Sequence, residues 1–117
     1  MNTLTSSIKI KKTDASRINE VDFNNIPFGK VFSDHMFMMD YVDGEWKNME
    51  ILPFGKLEFS PAISSIHYGQ SIFEGMKAFR NNGKIYTFRA RDNFERMNES
   101  AVRMCMPDVP VDKVLEG

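Results

Sequence analysis

Two dipeptides, Asp43-Gly44 and Asn82-Gly83, each separate a pair of strand-like segments, and they constrain the fold of this chain more than any other feature. Both central residues of a type I′ turn need a positive φ, which Gly, Asn and Asp tolerate better than other residues. The first dipeptide follows the apolar run 35–42, and the second joins residues 76–80 to residues 84–88. We therefore expect two antiparallel β-hairpins.

A helical pattern follows the second hairpin. Four apolar residues recur with the 3.6-residue period and predict one apolar stripe: Phe94, Met97, Ala101 and Met104. Asp92, with Glu95 three positions later, is expected to cap the start of this helix, and Pro107 to end it. Asp112 is expected to begin another helix.

The order strand, strand, irregular loop, strand, strand, helix predicts an α+β fold: a largely antiparallel sheet with the helix packed on one face. The length of 117 residues suits one small domain. We expect residues 1–22, which are mostly polar, to form an extension with one short edge strand, and residues 23–117 to form the domain. Because the last predicted helix has barely begun at residue 117, we also expect a fragment of a longer protein.

Composition excludes several functions. The formal net charge is −1, from 15 basic and 16 acidic residues, so no broad basic field is available for nucleic acid. No apolar run approaches the roughly eighteen residues of a membrane span. The single cysteine, Cys105, allows no internal disulfide and fits a reducing compartment. We expect Cys105 to be buried and inert within the predicted helix.

Arg96 is the most informative charged residue. A cation close to the predicted helix start opposes the helix dipole, which makes more sense if the side chain faces an anion such as phosphate. The alternative is an ordinary ion pair with Asp92 or Glu99 at helical spacing. The residue pattern by itself leaves both interpretations open.

The segment around Glu74 is unusual for a loop, because the carboxylate lies between Phe73 and Gly75. Glu74 is either a buried carboxylate that accepts backbone N–H bonds or a solvated loop acid. Tyr68 and Phe73 either line a ligand pocket or pack in the core. The two histidines have no acidic or cysteine partner at metal-ligand spacing, so we expect structural histidines and no metal site.

In order and spacing, residues 27–41, 64–80 and 86–107 resemble the N-terminal part of branched-chain amino acid aminotransferases, which are fold-type IV pyridoxal-phosphate enzymes. The motif "HYG…FEG…KAF", followed by "F…N..RM..SA.R", is specific to this enzyme group. The start "FGKVFSDHM" points to the branched-chain subgroup.

The resemblance implies roles for individual residues. Arg96 matches the family arginine that binds the cofactor phosphate. Tyr68 and Phe73 match aromatic residues that line the pocket for the apolar side chain of the substrate, and Phe28 matches a further pocket aromatic. Glu74-Gly75 is expected to be a tight backbone passage that presents Phe73.

The resemblance also implies a homodimer that transfers the amino group of leucine, isoleucine or valine to 2-oxoglutarate through pyridoxal 5'-phosphate. The single cysteine favours a cytoplasmic location for it. In the family the Schiff-base lysine lies downstream, in a large second domain. Lys77, the lysine nearest the pocket motif, is not in the matching context. We therefore expect no catalytic residue in this chain and no activity from the chain by itself.

Two alternatives stay open. The first is a related fold-type IV enzyme, either a D-amino acid aminotransferase or an aminodeoxychorismate lyase, although the "FGKVFSDHM" segment argues against both. The second is a non-catalytic binding or assembly module with the same small-domain fold.

Overall fold

The computed structural model describes residues 8–117, and these form two compact units, residues 8–57 and residues 58–116. The first unit contains strands β1 (Lys9–Ile10), β2 (His35–Val42) and β3 (Glu45–Pro53) and a 3-10 turn at Ile18–Glu20. The strand order is β1-β3-β2, with β1 parallel and β2 antiparallel to β3. The sheet of this unit is therefore mixed.

The hairpin β2–β3 confirms the first turn prediction. Asp43 and Gly44 have φ values of 54° and 80°, as a type I′ turn requires. The register is irregular between Met38 and Asp40, and Asn48 on the facing strand has a φ of 53°. The amide Nδ2 of Asn48 donates to the Asp40 carboxylate over 3.0 Å, which stabilises this bulge.

The polar N-terminal segment is bonded to the start of β2. The Thr13 N–H donates to Nε2 of His35 over 3.0 Å. The Ser16 hydroxyl and the Arg17 N–H donate to the Asp34 carboxylate over 2.6 and 3.0 Å, which lowers the pKa of Asp34. The predicted edge strand is confirmed as the short strand β1, whereas residues 1–7 of the predicted extension lie outside the described residues.

The second unit contains helix α1 (Ser64–Tyr68), strands β4 (Ala78–Asn81) and β5 (Lys84–Thr87), and helices α2 (Ala90–Arg103) and α3 (Val111–Glu116). Strands β4 and β5 form an antiparallel hairpin. Asn82 and Gly83 have φ values of 50° and 76°, so the second turn prediction is also confirmed. Helix α1 was not predicted, because it lies within a segment rich in turn residues.

Helix α2 starts two residues before the predicted cap. The N-cap residue is Arg89, which adopts a left-handed conformation (φ 52°) and makes no side-chain capping bond. Asp92 instead lies in the first turn, where its carboxylate pairs with the Arg89 guanidinium. An acid in the first turn still favours the helix through the dipole, although it does not cap it.

The C-terminal end of α2 corrects the prediction for Cys105, which is exposed and lies beyond the helix. The Met106 N–H donates to the Ala101 carbonyl over 2.9 Å, and the Cys105 N–H donates to the Val102 carbonyl over 3.2 Å. With Cys105 at a φ of 53°, these bonds form a Schellman motif. The helix therefore ends well before Pro107.

The class α+β is confirmed. The prediction of one largely antiparallel sheet is wrong for the described residues. Their strands form one mixed three-stranded sheet in the first unit and one two-stranded antiparallel sheet in the second. Burial is sparse: within residues 8–117, Ala101 is the one hydrophobic residue in the buried class. Ala101 lies on the predicted apolar stripe of α2, whose other members are half-buried.

Candidate functional site

Arg96 is the seventh residue of α2, in its second turn. At a rise of about 1.5 Å per residue, its backbone lies roughly 9 Å beyond the first residue of the helix. The expected position near the helix start depended on Asp92 as the N-cap; because the N-cap is Arg89, Arg96 lies farther from the helix N-terminus than expected. The dipole therefore does not explain why a cation occupies this position.

The partner of Arg96 is Glu74, from the loop that precedes β4. The Arg96 Nε donates to Oε2 of Glu74 over 2.6 Å, and Nη2 donates to Oε1. A fork of two parallel N–H···O bonds is the strongest geometry for an arginine–carboxylate pair. The ordinary ion pair that we weighed, with Asp92 or Glu99 on the same helix, is not the one that forms.

Glu74 also accepts two further hydrogen bonds. Its Oε1 accepts the Gly75 N–H over 2.8 Å and the Asn93 amide Nδ2 over 3.3 Å. The side chain of Glu74 is only 12% exposed. Glu74 therefore accepts a backbone N–H bond, as the first sequence interpretation requires, but its side chain is half-buried and not fully buried. The solvated loop acid is wrong.

The charge of Glu74 is strongly stabilised. Hydrogen bonding from Arg96, and then from Gly75, lowers the pKa of Glu74 from an ordinary 4.5 to about 2, and Asn93 adds to the effect. The carboxylate in turn raises the pKa of Arg96. Both groups are therefore fully charged at neutral pH, and Glu74 cannot serve there as a proton donor.

Asn93 is the member of this cluster that sequence reasoning missed. Its Nδ2 donates to the Gly75 carbonyl over 2.8 Å as well as to Glu74. Asn93 and Arg96 lie three positions apart and therefore on the same face of α2, which is the signal that could have identified it. We call Glu74, Asn93 and Arg96 the Glu74 cluster; it binds the loop 73–75 to helix α2.

The Glu74 cluster leaves part of the Arg96 guanidinium available. The Arg96 side chain is 62% exposed, and Nη1 lies outside the ion pair with Glu74. A guanidinium carries five N–H donors in one plane, so the outer edge can bind a second anion while the inner edge holds the carboxylate. This donor set fits a phosphate group.

Two of the predicted pocket aromatics lie in the same unit as the cluster. Phe73 directly precedes Glu74 and is 92% exposed, and Tyr68 ends helix α1 and is 84% exposed. Gly69 follows Tyr68 in the left-handed conformation that ends α1. The core alternative for Tyr68 and Phe73 does not hold within the described residues, because neither side chain is buried there.

Two further sequence predictions concern Phe28 and the backbone at Gly75. Phe28 lies in the first unit with its side chain fully exposed. A Cβ on Gly75 would meet no atom within 4 Å, so the described residues do not form the tight passage that we expected there. The roles of Phe28, Tyr68, Phe73 and Arg96 in binding stay predictions.

Both histidines make structural hydrogen bonds: His35 accepts from Thr13, and a ring nitrogen of His67 lies 2.7 Å from the Pro61 carbonyl. Within residues 8–117, no group of three potential metal ligands comes together. Within the same residues, no helix is long and apolar enough to cross a membrane.

Comparison with known proteins decides the family. No family model matches the chain. The chain is 39% identical over 115 residues to a probable branched-chain-amino-acid aminotransferase of Staphylococcus epidermidis, which is 97% of this chain and 32% of that protein. It is 40% identical over 113 residues to branched-chain-amino-acid aminotransferase 2 of Bacillus subtilis, which is 95% of this chain and 31% of that protein.

A branched-chain-amino-acid aminotransferase of Mycolicibacterium smegmatis is 42% identical over 107 residues, 90% of this chain and 28% of that protein. The chain belongs to the branched-chain-amino-acid aminotransferase family. The resemblance stated from the motifs is thereby confirmed. The chain spans about a third of the length of the curated relatives that it matches, 32% for the Staphylococcus epidermidis protein.

Proposed function

We propose that this chain is the small-domain portion of a pyridoxal-phosphate aminotransferase that transfers the amino group of leucine, isoleucine or valine to 2-oxoglutarate. The names of its relatives support the reaction class. The observation that carries the proposal is the Arg96 guanidinium, which Glu74 holds on one edge and which is otherwise largely exposed.

When bound, pyridoxal phosphate supplies the electron sink for amino-group transfer. In our proposal this chain contributes binding and shape. Arg96 binds the cofactor phosphate through its outer N–H groups, and Tyr68, Phe73 and Phe28 line an apolar pocket that excludes water from the branched side chain of the substrate. A pocket of this kind selects aliphatic substrates by burying their methyl groups.

The proposal includes a larger protein around this chain. A downstream lysine in a second domain performs the covalent chemistry, and the protein is a cytoplasmic homodimer of the fold-type IV class, with a helix packed on one face of the sheet. The many large apolar side chains that residues 8–117 leave exposed support a larger assembly, because monomeric domains rarely expose large apolar surfaces.

The test is an amino-transfer assay on the complete polypeptide that carries this chain. We expect glutamate to form from 2-oxoglutarate with L-leucine, L-isoleucine or L-valine, and only background turnover with D-alanine. Turnover of D-alanine but not of the branched-chain substrates would identify a D-amino acid aminotransferase. Conversion of aminodeoxychorismate would identify the lyase, and no turnover of any of these substrates would favour the assembly module.

A further inference from the structure

We propose that Glu74 is a positioning residue for cofactor binding: it orients the Arg96 guanidinium so that its outer N–H groups face the phosphate. This inference rests on the proposed function and extends it, because it assigns a role to an acid that does not itself touch the cofactor. A carboxylate beside a phosphate-binding cation otherwise looks unfavourable, since it repels the anion that the cation binds.

Glu74 occupies one particular edge of the Arg96 guanidinium. Glu74 bonds Nε and Nη2 of Arg96, which together form the inner side of the planar guanidinium. The N–H groups of Nη1 and the second N–H of Nη2 point away from that side, because the five donors are fixed in one plane. The carboxylate therefore leaves a pair of parallel donors, which is the arrangement that binds two phosphate oxygens.

Glu74 is itself held in place by hydrogen bonds from the loop and from helix α2. The Gly75 N–H fixes Oε1 from the loop, and Asn93 fixes the same oxygen from helix α2. Asn93 also holds the Gly75 carbonyl over 2.8 Å, so the loop and the helix are joined independently of the ion pair. Without Glu74, the largely exposed Arg96 side chain would sample many rotamers. Phosphate binding would then have to restrict the side chain to one rotamer, which costs conformational entropy.

Two opposing effects must be separated by experiment. Orientation by Glu74 favours phosphate binding, whereas its negative charge opposes it through Coulomb repulsion. Glu74→Ala removes both effects. Glu74→Gln removes the charge but keeps one carbonyl oxygen, which in the place of Oε1 can accept from Arg96 Nη2, Asn93 Nδ2 and the Gly75 N–H. Its NH2 group cannot accept from Arg96 Nε, so this variant retains one of the two bonds to Arg96 and is the closest control for the charge.

The measurement is the preference of the complete polypeptide for pyridoxal phosphate over pyridoxal, from spectroscopic titrations with each aldehyde. The ratio of the dissociation constant for pyridoxal to that for pyridoxal phosphate measures the contribution of the phosphate group. A general loss of structure that weakens the binding of both aldehydes equally leaves this ratio unchanged. We expect the ratio to be about tenfold lower for Glu74→Ala than for Glu74→Gln, as the loss of one charge-assisted bond predicts.

Equal ratios for the Ala and Gln variants would overturn the positioning role, as would a higher ratio for Ala than for Gln. Arg96→Ala distinguishes this failure from failure of the proposed function. If Arg96→Ala keeps the wild-type ratio, the phosphate assignment itself is wrong and the Glu74 proposal is wrong with it. If Arg96→Ala lowers the ratio while the two Glu74 variants agree, only the role of Glu74 is wrong.

Discussion

The Glu74 carboxylate stays ionised to unusually low pH because one guanidinium, one backbone N–H and one amide donate to it. Such a cluster has a cost as well as a benefit. It stabilises the contact between loop and helix, yet it leaves a cation, Arg96, without its acid partner whenever Glu74 is protonated. The stability of this contact must therefore depend on pH.

The sign of the pH dependence follows from the pKa of Glu74, which is about 2 instead of an ordinary 4.5. The folded state favours the ionised form, so the stabilisation is complete above about pH 4.5 and is lost as the pH falls toward 2. We expect Glu74→Gln to lower the free energy of unfolding at pH 7, and the difference from wild type to shrink between pH 4.5 and 2. Denaturant titrations at several pH values measure this; a difference independent of pH would contradict it.

At the residue scale, the sequence left open whether Arg96 faces a phosphate or pairs with Asp92 or Glu99, and it did not indicate Glu74 as the partner. Glu74 lies 22 positions earlier, so no helical spacing rule connects the pair. The exposure of Cys105 could not be predicted from the sequence either, because it depends on where the helix ends. Helix ends are set by local backbone bonds that periodicity does not report.

At the scale of the elements, the sequence predicts a hairpin correctly where its turn residues favour one turn type. Both hairpins were predicted because Asp43-Gly44 and Asn82-Gly83 can adopt positive φ, and they do. The start of α2 was misplaced because its N-cap is Arg89, a residue with no capping preference. Asp92 has the residue type of a cap, yet it lies inside the first turn.

The turn at Gly83 provides an element-scale prediction. Its φ is +76°, so an alanine there would adopt a left-handed conformation, which costs about 1–2 kcal/mol. We expect Gly83→Ala to lower the free energy of unfolding by that amount. Gly75→Ala is the control in the same unit, because Gly75 lies outside the left-handed region and its Cβ would enter open space. Equal losses for the two variants would contradict this account.

At the scale of the whole molecule, the described residues bury very little. Ala101 is 1% exposed, whereas many large apolar side chains, including the predicted pocket aromatics, are exposed. A domain of this size normally buries roughly two-thirds of its unfolded surface. The sequence predicted the class α+β from element order, but it could not predict two separate sheets, because sheet membership depends on long-range strand pairing.

We expect the isolated 117-residue chain not to bind pyridoxal phosphate covalently. In our proposal the lysine that reacts with the cofactor lies outside this chain, so incubation with pyridoxal phosphate should give no visible absorption band that survives dialysis. The complete polypeptide, treated in the same way, should retain such a band. A stable band on the isolated chain would show that one of its own lysines, with Lys77 the first to test, reacts with the cofactor.

The central claim is that Arg96 binds the cofactor phosphate. The most direct test is the affinity of the complete polypeptide for pyridoxal phosphate, measured by spectroscopic titration with Arg96→Ala beside wild type. The account predicts a loss of about 1.5–3 kcal/mol, the typical worth of hydrogen bonds to a charged group. Unchanged affinity in a variant that remains folded would contradict it.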